Sequence, residues 1–170
     1  MSLNDHAVYE FVVWLHILAA MAWVGSLVFL VSCLMPAMKS PESLKLWKPV
    51  LKKSGLRFRM LGWTYLIALF VSGIFLMNYR GFMDGGPEFW QNPMGKLMSF
   101  KVTLAIVVFV LFLVLDFFLS RAAARVWLDE EETLIAPKYQ KRVAVLCWIQ
   151  VLLALVLIGI GVLIVRGIPV

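Results

Sequence analysis

Charged residues are scarce in this sequence: only 15% of its 170 residues are Asp, Glu, Lys or Arg, whereas 62% are hydrophobic. A soluble domain is about 25% charged and about 45–50% apolar. The low charge content and a mean hydropathy of +0.90 exclude a disordered chain. They also exclude a soluble nucleic-acid binder, in spite of a net charge of +6. We therefore expect an integral membrane protein.

Cysteine and histidine are equally rare, with two residues of each type. Two cysteines do not build a disulfide scaffold. Of the histidines, only His16 lies within an apolar stretch, so His6 and His16 do not supply both axial imidazoles of a haem held within one chain. The sequence also lacks a glycine-rich phosphate loop, a His-Glu-x-x-His zinc motif and paired carboxylates within an apolar stretch. These absences set aside phosphate-loop, zinc-protease and carboxylate-pair chemistry.

Four apolar stretches are long enough to cross a membrane as helices, which requires about 20 residues. They cover about residues 9–34, 60–77, 97–119 and 143–165. Since lipid cannot satisfy backbone amides, each stretch must be helical, and short connections favour an up-down four-helix bundle. No basic segment precedes the first stretch, which is predicted to stay as a helix and not to be a signal peptide. The whole chain, residues 1–170, is thus predicted to be one all-α transmembrane domain.

The distribution of basic residues predicts the orientation of these helices. Seven Lys and Arg lie between the first and second stretches and five between the third and fourth, which makes twelve of the sixteen. Because basic connections stay in the cytoplasm, both termini are predicted to lie outside it, in a protein of the inner (plasma) membrane. The connection at residues 78–96 is rich in glycine and proline and is predicted to be an irregular outer loop.

Two ionisable side chains within the apolar stretches predict a binding site. His16 lies about 10 Å below the outer end of the first helix, and Lys101 lies about one turn into the third helix from the same side. His16 shares a helical face with Ala20, Trp23 and Leu27. Because ionisable groups in a membrane are costly, we predict that His16, Trp23 and Lys101 line an inward-facing site. An imidazole there would bind copper or haem iron, and a lysine would neutralise a carboxylate.

Sulfur side chains gather near both predicted membrane faces. Those on the outer side are Met77, Met83, Met94 and Met98, and those on the cytoplasmic side are Cys33, Met35, Met38 and Cys147. Thioethers and thiolates select Cu(I), and imidazole also binds copper. We therefore predict His6, His16 and Met98 as metal ligands. The alternative is that the methionines fill gaps between helices.

The remaining polar and small residues of the apolar stretches predict helix contacts. Asp116 lies near the cytoplasmic end of the third helix and is predicted to pair with Arg57 or Arg121. Gln150 is predicted to form a hydrogen bond between helices. Small residues let membrane helices approach closely, which is the predicted role of Gly62, Gly73, Gly159 and Gly161.

The segment that contains His16, Trp23 and Gly25 resembles the first-helix signature of the copper-resistance CopD membrane domain. Further matches, which extend the resemblance over residues 11–120, are Pro36, Arg57, Phe58, Ser72, Gly73, Gly95 and Lys101. HemJ-type protoporphyrinogen oxidases look like relatives of the same pattern, within a broader group of membrane cytochrome b-like bundles. The first resemblance implies copper handling. The second implies a haem b or porphyrin site near His16 and Lys101.

Three functions therefore stay open at this point. The favoured one is copper binding or uptake at the outer face. The second is a haem b oxidoreductase in which His16 is an axial ligand and Lys101 pairs with a carboxylate. The third is a non-catalytic membrane subunit, in which the His16 imidazole only joins two helices. The expected partners are the lipid bilayer, a second copy of the chain, or a periplasmic metal or redox partner, and not a nucleic acid.

Overall fold

The computed structural model describes residues 3–37, 41–128 and 137–166 of the chain. The side chains of residues 3–4, 41, 43–45, 47–48, 51–55, 119–128 and 137–140 also lie outside the described part. Its helices are α1 (Leu3–Phe29), α2 (Met35–Ala37), α3 (Pro41–Tyr79), α4 (Gly86–Gln91), α5 (Pro93–Leu128) and α6 (Pro137–Arg166), with a π-helical segment, Leu30–Leu34, between α1 and α2. The described residues contain no β-strand. The predicted all-α class is therefore confirmed for this part of the chain.

Four helical stretches are long and apolar enough to cross a membrane. They are Asp5–Ala37, Leu56–Tyr79, Pro93–Phe118 and Lys141–Arg166. Most of their ends lie a few residues beyond the predicted spans, because a helix continues into the interface where its sequence is already polar. These stretches indicate a multi-pass membrane protein.

The core of the protein draws on all four long helices. α1 packs mainly on α3, and α5 packs mainly on α6. The largest buried cluster includes Trp23 and Leu27 of α1, Leu66 of α3, Phe112 and Leu115 of α5, and Val143, Cys147 and Val151 of α6. Aromatic edges add specific contacts, since Trp63 meets the rings of Phe109 and Phe112 edge-on at 6.0 and 5.3 Å between centroids.

Contacts between helices follow a consistent order along the chain. Tyr9, near the start of α1, stacks on Tyr79 at the end of α3, with 4.5 Å between ring centroids. Further along α1, His16 contacts Ser72, which lies earlier in α3. The start of α1 therefore lies beside the end of α3.

A proline explains the π-helical segment that follows α1. Pro36 has no N–H to donate, and its ring would collide with the carbonyl group four residues earlier in a regular α-helix. That carbonyl belongs to Ser32, within Leu30–Leu34. The helix avoids this collision by widening to a π-helix, in which the N–H of Met35 donates to the carbonyl of Leu30, five residues back.

The prediction that residues 78–96 are irregular throughout is wrong, because this connection contains helix α4. Pro87 is the second residue of α4, a position where a missing N–H costs no hydrogen bond. Gly81 and Gly86 have φ angles of +71° and +61°, which glycine adopts at little cost. Glycine and proline, which usually indicate a loop, here form the turns that lead into helix α4.

Three of the four predicted glycine contacts are present. A Cβ atom placed on Gly62 would lie 3.1 Å from the ring of Phe112, and one on Gly73 would lie 3.5 Å from Cε1 of His16. A Cβ on Gly161 would lie 3.5 Å from Nζ of Lys101. The prediction for Gly159 is wrong, since nothing lies within 4 Å of a Cβ at that position. It lies on the exposed side of α6.

Candidate functional site

The imidazole of His16 is half-buried and is attached to α3 through Ser72. Its Nδ1 atom lies 2.6 Å from Oγ of Ser72. The same Oγ atom lies 2.5 Å from the carbonyl oxygen of Ala68 and 3.3 Å from that of Leu69. Ser72 is buried, so its hydroxyl hydrogen points to one of these protein groups.

This arrangement determines the tautomer of His16. A carbonyl oxygen only accepts hydrogen bonds, so the single hydroxyl hydrogen of Ser72 is donated to Ala68. The contact between Ser72 Oγ and His16 Nδ1 then requires a hydrogen on Nδ1. In a neutral imidazole the other nitrogen, Nε2, carries the lone pair. Within the described residues no side chain or backbone group bonds to Nε2, which makes it the atom that can bind a metal.

Gly73 gives the imidazole its place beside α3. Cε1 of His16, the ring carbon between the two nitrogens, packs over the Cα atom of this glycine. A Cβ atom at this position would lie 3.5 Å from the ring, in van der Waals contact, so a side chain longer than that of alanine would push the ring away from Ser72. The dipeptide Ser72-Gly73 therefore supplies both the hydrogen-bond acceptor and the space for the ring.

Lys101 is the second ionisable side chain of the site, and it comes from the opposite pair of helices. It extends from α5 so that its Nζ atom packs over Gly161 of α6. Its ammonium group acts electrostatically on the imidazole of His16. Within the described residues Lys101 makes no ion pair with a carboxylate. Among the described residues, the structure thus brings an imidazole nitrogen without a hydrogen-bond partner and a lysine without a carboxylate partner within electrostatic range of each other.

A second cation lies near the same end of the helices. Arg80, just after α3, donates from Nε and Nη2 to the hydroxyl oxygen of Tyr9 at 3.1 and 2.8 Å. Its guanidinium group also acts electrostatically on Lys101. Beside it, the hydroxyl group of Tyr79 is buried and has no hydrogen-bond partner. Tyr9, Tyr79 and Arg80 were not predicted as site residues.

The other predicted site residues do not meet His16 directly. His6 is exposed, lies against Tyr9, and is ten residues, or about 15 Å, from His16 along α1. Trp23 is buried and lies seven residues, or about 10 Å, further along the same helix. Its Nε1 atom has no hydrogen-bond partner. The structure therefore does not bring His6 and His16 to one ion.

Met98 lies in a separate apolar cluster near Lys101. The cluster contains buried Met98, Ile160 and Ile164, with Met77, Phe82, Met94, Leu97 and Leu104 packed against them. Met98 precedes Lys101 by three residues on α5, so the two side chains are neighbours on one helix face. Three of the predicted outer methionines thus lie together. Among the described residues, no three His, Cys, Asp or Glu side chains are grouped as they would be around a metal ion.

The polar residues away from this site have structural partners. The partner of Asp116 is Arg59, whose Nε atom lies 2.8 Å from Oδ1, and not Arg57 as one prediction had it. The side chain of Arg121, the other predicted partner, and Met38 lie outside the described residues. Gln150 donates from Nε2 to the carbonyl oxygen of Val108 at 3.2 Å, which confirms its predicted bond between helices. Both cysteines are free thiols, Cys33 exposed and Cys147 buried.

Comparison with known proteins found no relative of this chain. No family model, curated protein or solved structure matches the chain.

Proposed function

We propose that this chain is a membrane protein that binds haem b, which Nε2 of His16 would hold through its iron. The observation that supports the proposal most is the hydrogen-bond chain from His16 through Ser72 to the carbonyl of Ala68. Imidazoles that bind metals almost always donate their other N–H to a protein acceptor, which orients the ring and makes the ligand more basic. Bound haem would supply one-electron redox chemistry.

The cations near His16 favour haem over a bare metal ion. Haem carries two propionate groups, which Lys101 and Arg80 would neutralise at this end of the helices. The same two cations would repel a copper ion approaching the imidazole alone. For that reason the charge distribution supports the haem alternative, although the sequence pattern favours copper. With two histidines in the chain, the second axial ligand would be a weaker donor, a water molecule or a residue of another subunit.

The proposal is tested by the absorption spectrum of protein purified in detergent from haem-replete cells. We expect a Soret band in the wild type and in His6→Ala, and none in His16→Ala. His6→Ala is the matched control, since it removes an imidazole from the same helix. A colourless wild-type preparation, or a band that His16→Ala retains, would overturn the proposal.

Copper binding is a second candidate, supported by the cluster that holds Met77, Met94 and Met98. Thioether sulfurs prefer Cu(I). Because they are neutral, these ligands would add no charge beside Lys101. Copper analysis of the same purified sample distinguishes the candidates. Copper that is lost in Met98→Leu but kept in Met21→Leu would support this second site, because Met21 is exposed on α1.

We further propose an up-down four-helix bundle with both termini outside the cytoplasm. The contacts of Tyr9 with Tyr79 and of His16 with Ser72 support antiparallel α1 and α3, and the distribution of basic residues supports the orientation. Exposed Cys33 is a natural reporter. A membrane-impermeant thiol reagent should label it only after cells are permeabilised. The control is the double variant Cys33→Ser with Ser2→Cys, which should be labelled in intact cells. The opposite labelling of the two proteins would reverse the proposed orientation.

A further inference from the structure

A shallow, open groove runs along the exposed side of α3, in the part of the helix that precedes Ser72. It is lined by Leu56, Arg59, Met60, Trp63, Thr64 and Ile67. The apolar residues among them recur at intervals of three and four, so they form one helical face. This face lies in the membrane-crossing part of α3, where the available ligands are lipids.

One wall of the groove is rigid because of its aromatic contacts. Trp63 meets Phe109 and Phe112 edge-on, and Phe112 in turn packs closely over Gly62. Outside this wall, the side chains of Met60 and Ile67 are exposed. The groove is therefore an apolar surface with a fixed shape, which suits an acyl chain better than a polar molecule.

Arg59 places a cation at the end of this apolar surface. Its side chain is 46% exposed, whereas that of its partner Asp116 is only 11% exposed. The carboxylate contacts the Nε side of the guanidinium, and an arginine carries four further N–H donors on its two Nη atoms. Asp116 thus holds the guanidinium in one orientation at the edge of the groove. Planar arginine donors in fixed positions suit phosphate oxygens.

The charge of the chain around Arg59 selects the type of lipid. Lys52, Lys53, Arg57 and Arg59 lie within eight residues, and the sequence has no Asp or Glu between Glu42 and Asp84. A headgroup that carries its own cation, such as choline, would be repelled there. Clusters of basic residues at the end of a membrane helix are typical of anionic lipid binding.

We infer that this groove is a binding site for an anionic phospholipid, with its phosphate on Arg59 and an acyl chain along Met60, Trp63 and Ile67. Asp116 is a positioning residue, since it acts on the lipid only through Arg59. The site is independent of the haem proposal, because it shares no residue with the surroundings of His16.

Native mass spectrometry of the detergent-solubilised protein tests this inference with two lipids of identical acyl chains, phosphatidylglycerol and phosphatidylcholine. We expect the wild type to retain phosphatidylglycerol about fivefold better, the effect of one basic side chain at an anionic lipid. The variant Arg59→Gln with Asp116→Asn should lose this preference. Changing both residues avoids leaving a buried carboxylate without its partner, and circular dichroism checks that the variant folds.

The matched control is Arg57→Gln, which removes an exposed charge two residues away on the same helix. It should lower the preference for phosphatidylglycerol less than the double variant does, because Arg57 belongs to the basic cluster but does not line the groove. An equal loss in Arg57→Gln and in the double variant would show that the charge acts diffusely and would overturn the site. Retention of the preference in the folded double variant, or no preference in the wild type, would overturn it as well.

Discussion

His16 of α1 is joined to Ser72 of α3 by a hydrogen bond of 2.6 Å between Nδ1 and Oγ. The direction of this bond follows from Ser72, whose own hydrogen is donated to the carbonyl of Ala68. As a result, the nitrogen that carries the lone pair is Nε2. A small polar residue on one helix thus decides which atom of a neighbouring helix is able to bind a metal.

Removing the hydroxyl group of Ser72 should weaken the proposed haem site without unfolding the protein. In Ser72→Ala the imidazole loses its acceptor, and loss of such a partner typically costs about 10–100-fold in metal affinity. Titration of the apoprotein with haemin, followed by absorbance, measures this change. Ser26→Ala is the control, because its hydroxyl bonds only to the carbonyl of Trp23 within its own helix. Equal affinities of Ser72→Ala and the wild type would contradict the role of Ser72.

A bulky residue at position 161 should displace the ammonium group of Lys101. In Gly161→Leu the new side chain occupies the space where Nζ packs. Since a hydrogen bond to a charged group contributes about 1.5–3 kcal/mol, haemin affinity should fall roughly ten- to hundredfold. Gly159→Leu on the same helix has open space around it and should bind like the wild type. If both variants bind equally well, Lys101 does not contact the cofactor.

Among the glycines whose surroundings the structure describes, Gly95 should tolerate alanine least. A Cβ atom at this position would overlap the backbone carbonyl of Phe89, where the end of α4 packs against the first turn of α5. Backbone cannot move aside cheaply, so Gly95→Ala should destabilise the protein by about 1–3 kcal/mol. Gly25→Ala meets no atom within 4 Å and should leave the thermal unfolding midpoint unchanged or raise it. The opposite ranking of the two midpoints would contradict the packing of α4 on α5.

The two partners of the Arg59–Asp116 ion pair should respond unequally to mutation. Arg59→Gln leaves a buried carboxylate without its cation, which is costly. Asp116→Asn leaves a guanidinium that is already half-exposed and can be solvated or reach lipid headgroups. Thermal unfolding should therefore rank Arg59→Gln below Asp116→Asn, and the double variant above Arg59→Gln. A lower midpoint for Asp116→Asn would contradict the burial difference.

Hydrophobic pattern alone predicted the four long helices, because lipid leaves the backbone no other choice within an apolar stretch. The contacts between helices were harder to predict, since they depend on the rotation of each helix. Arg57 and Arg59 illustrate this, because two residues turn an α-helix by about 200° and so place the side chains on nearly opposite faces. The sequence pattern predicted Arg57 or Arg121 as the partner of Asp116, whereas the packing of α3 on α5 selects Arg59.

The partner of His16 was missed for a related reason. Ser72 was named only with Gly73, as a match to the CopD-like pattern, and a small polar residue in an apolar stretch serves many helix contacts. Its role becomes visible once the order of contacts between α1 and α3 is known. Arg80 and Tyr9 were missed because they are 71 residues apart in sequence and meet only where α3 ends beside the start of α1.

Nitrogen-15 NMR of protein labelled at histidine tests the central claim most directly, because the chain contains only His6 and His16. His6→Ala leaves one imidazole and assigns its signals. We predict a neutral His16 ring with a protonated Nδ1 and an unprotonated Nε2, and an Nε2 signal that shifts when haemin is added. A ring protonated at Nε2 and bare at Nδ1 would contradict the hydrogen-bond direction at Ser72 and, with it, the proposed ligand.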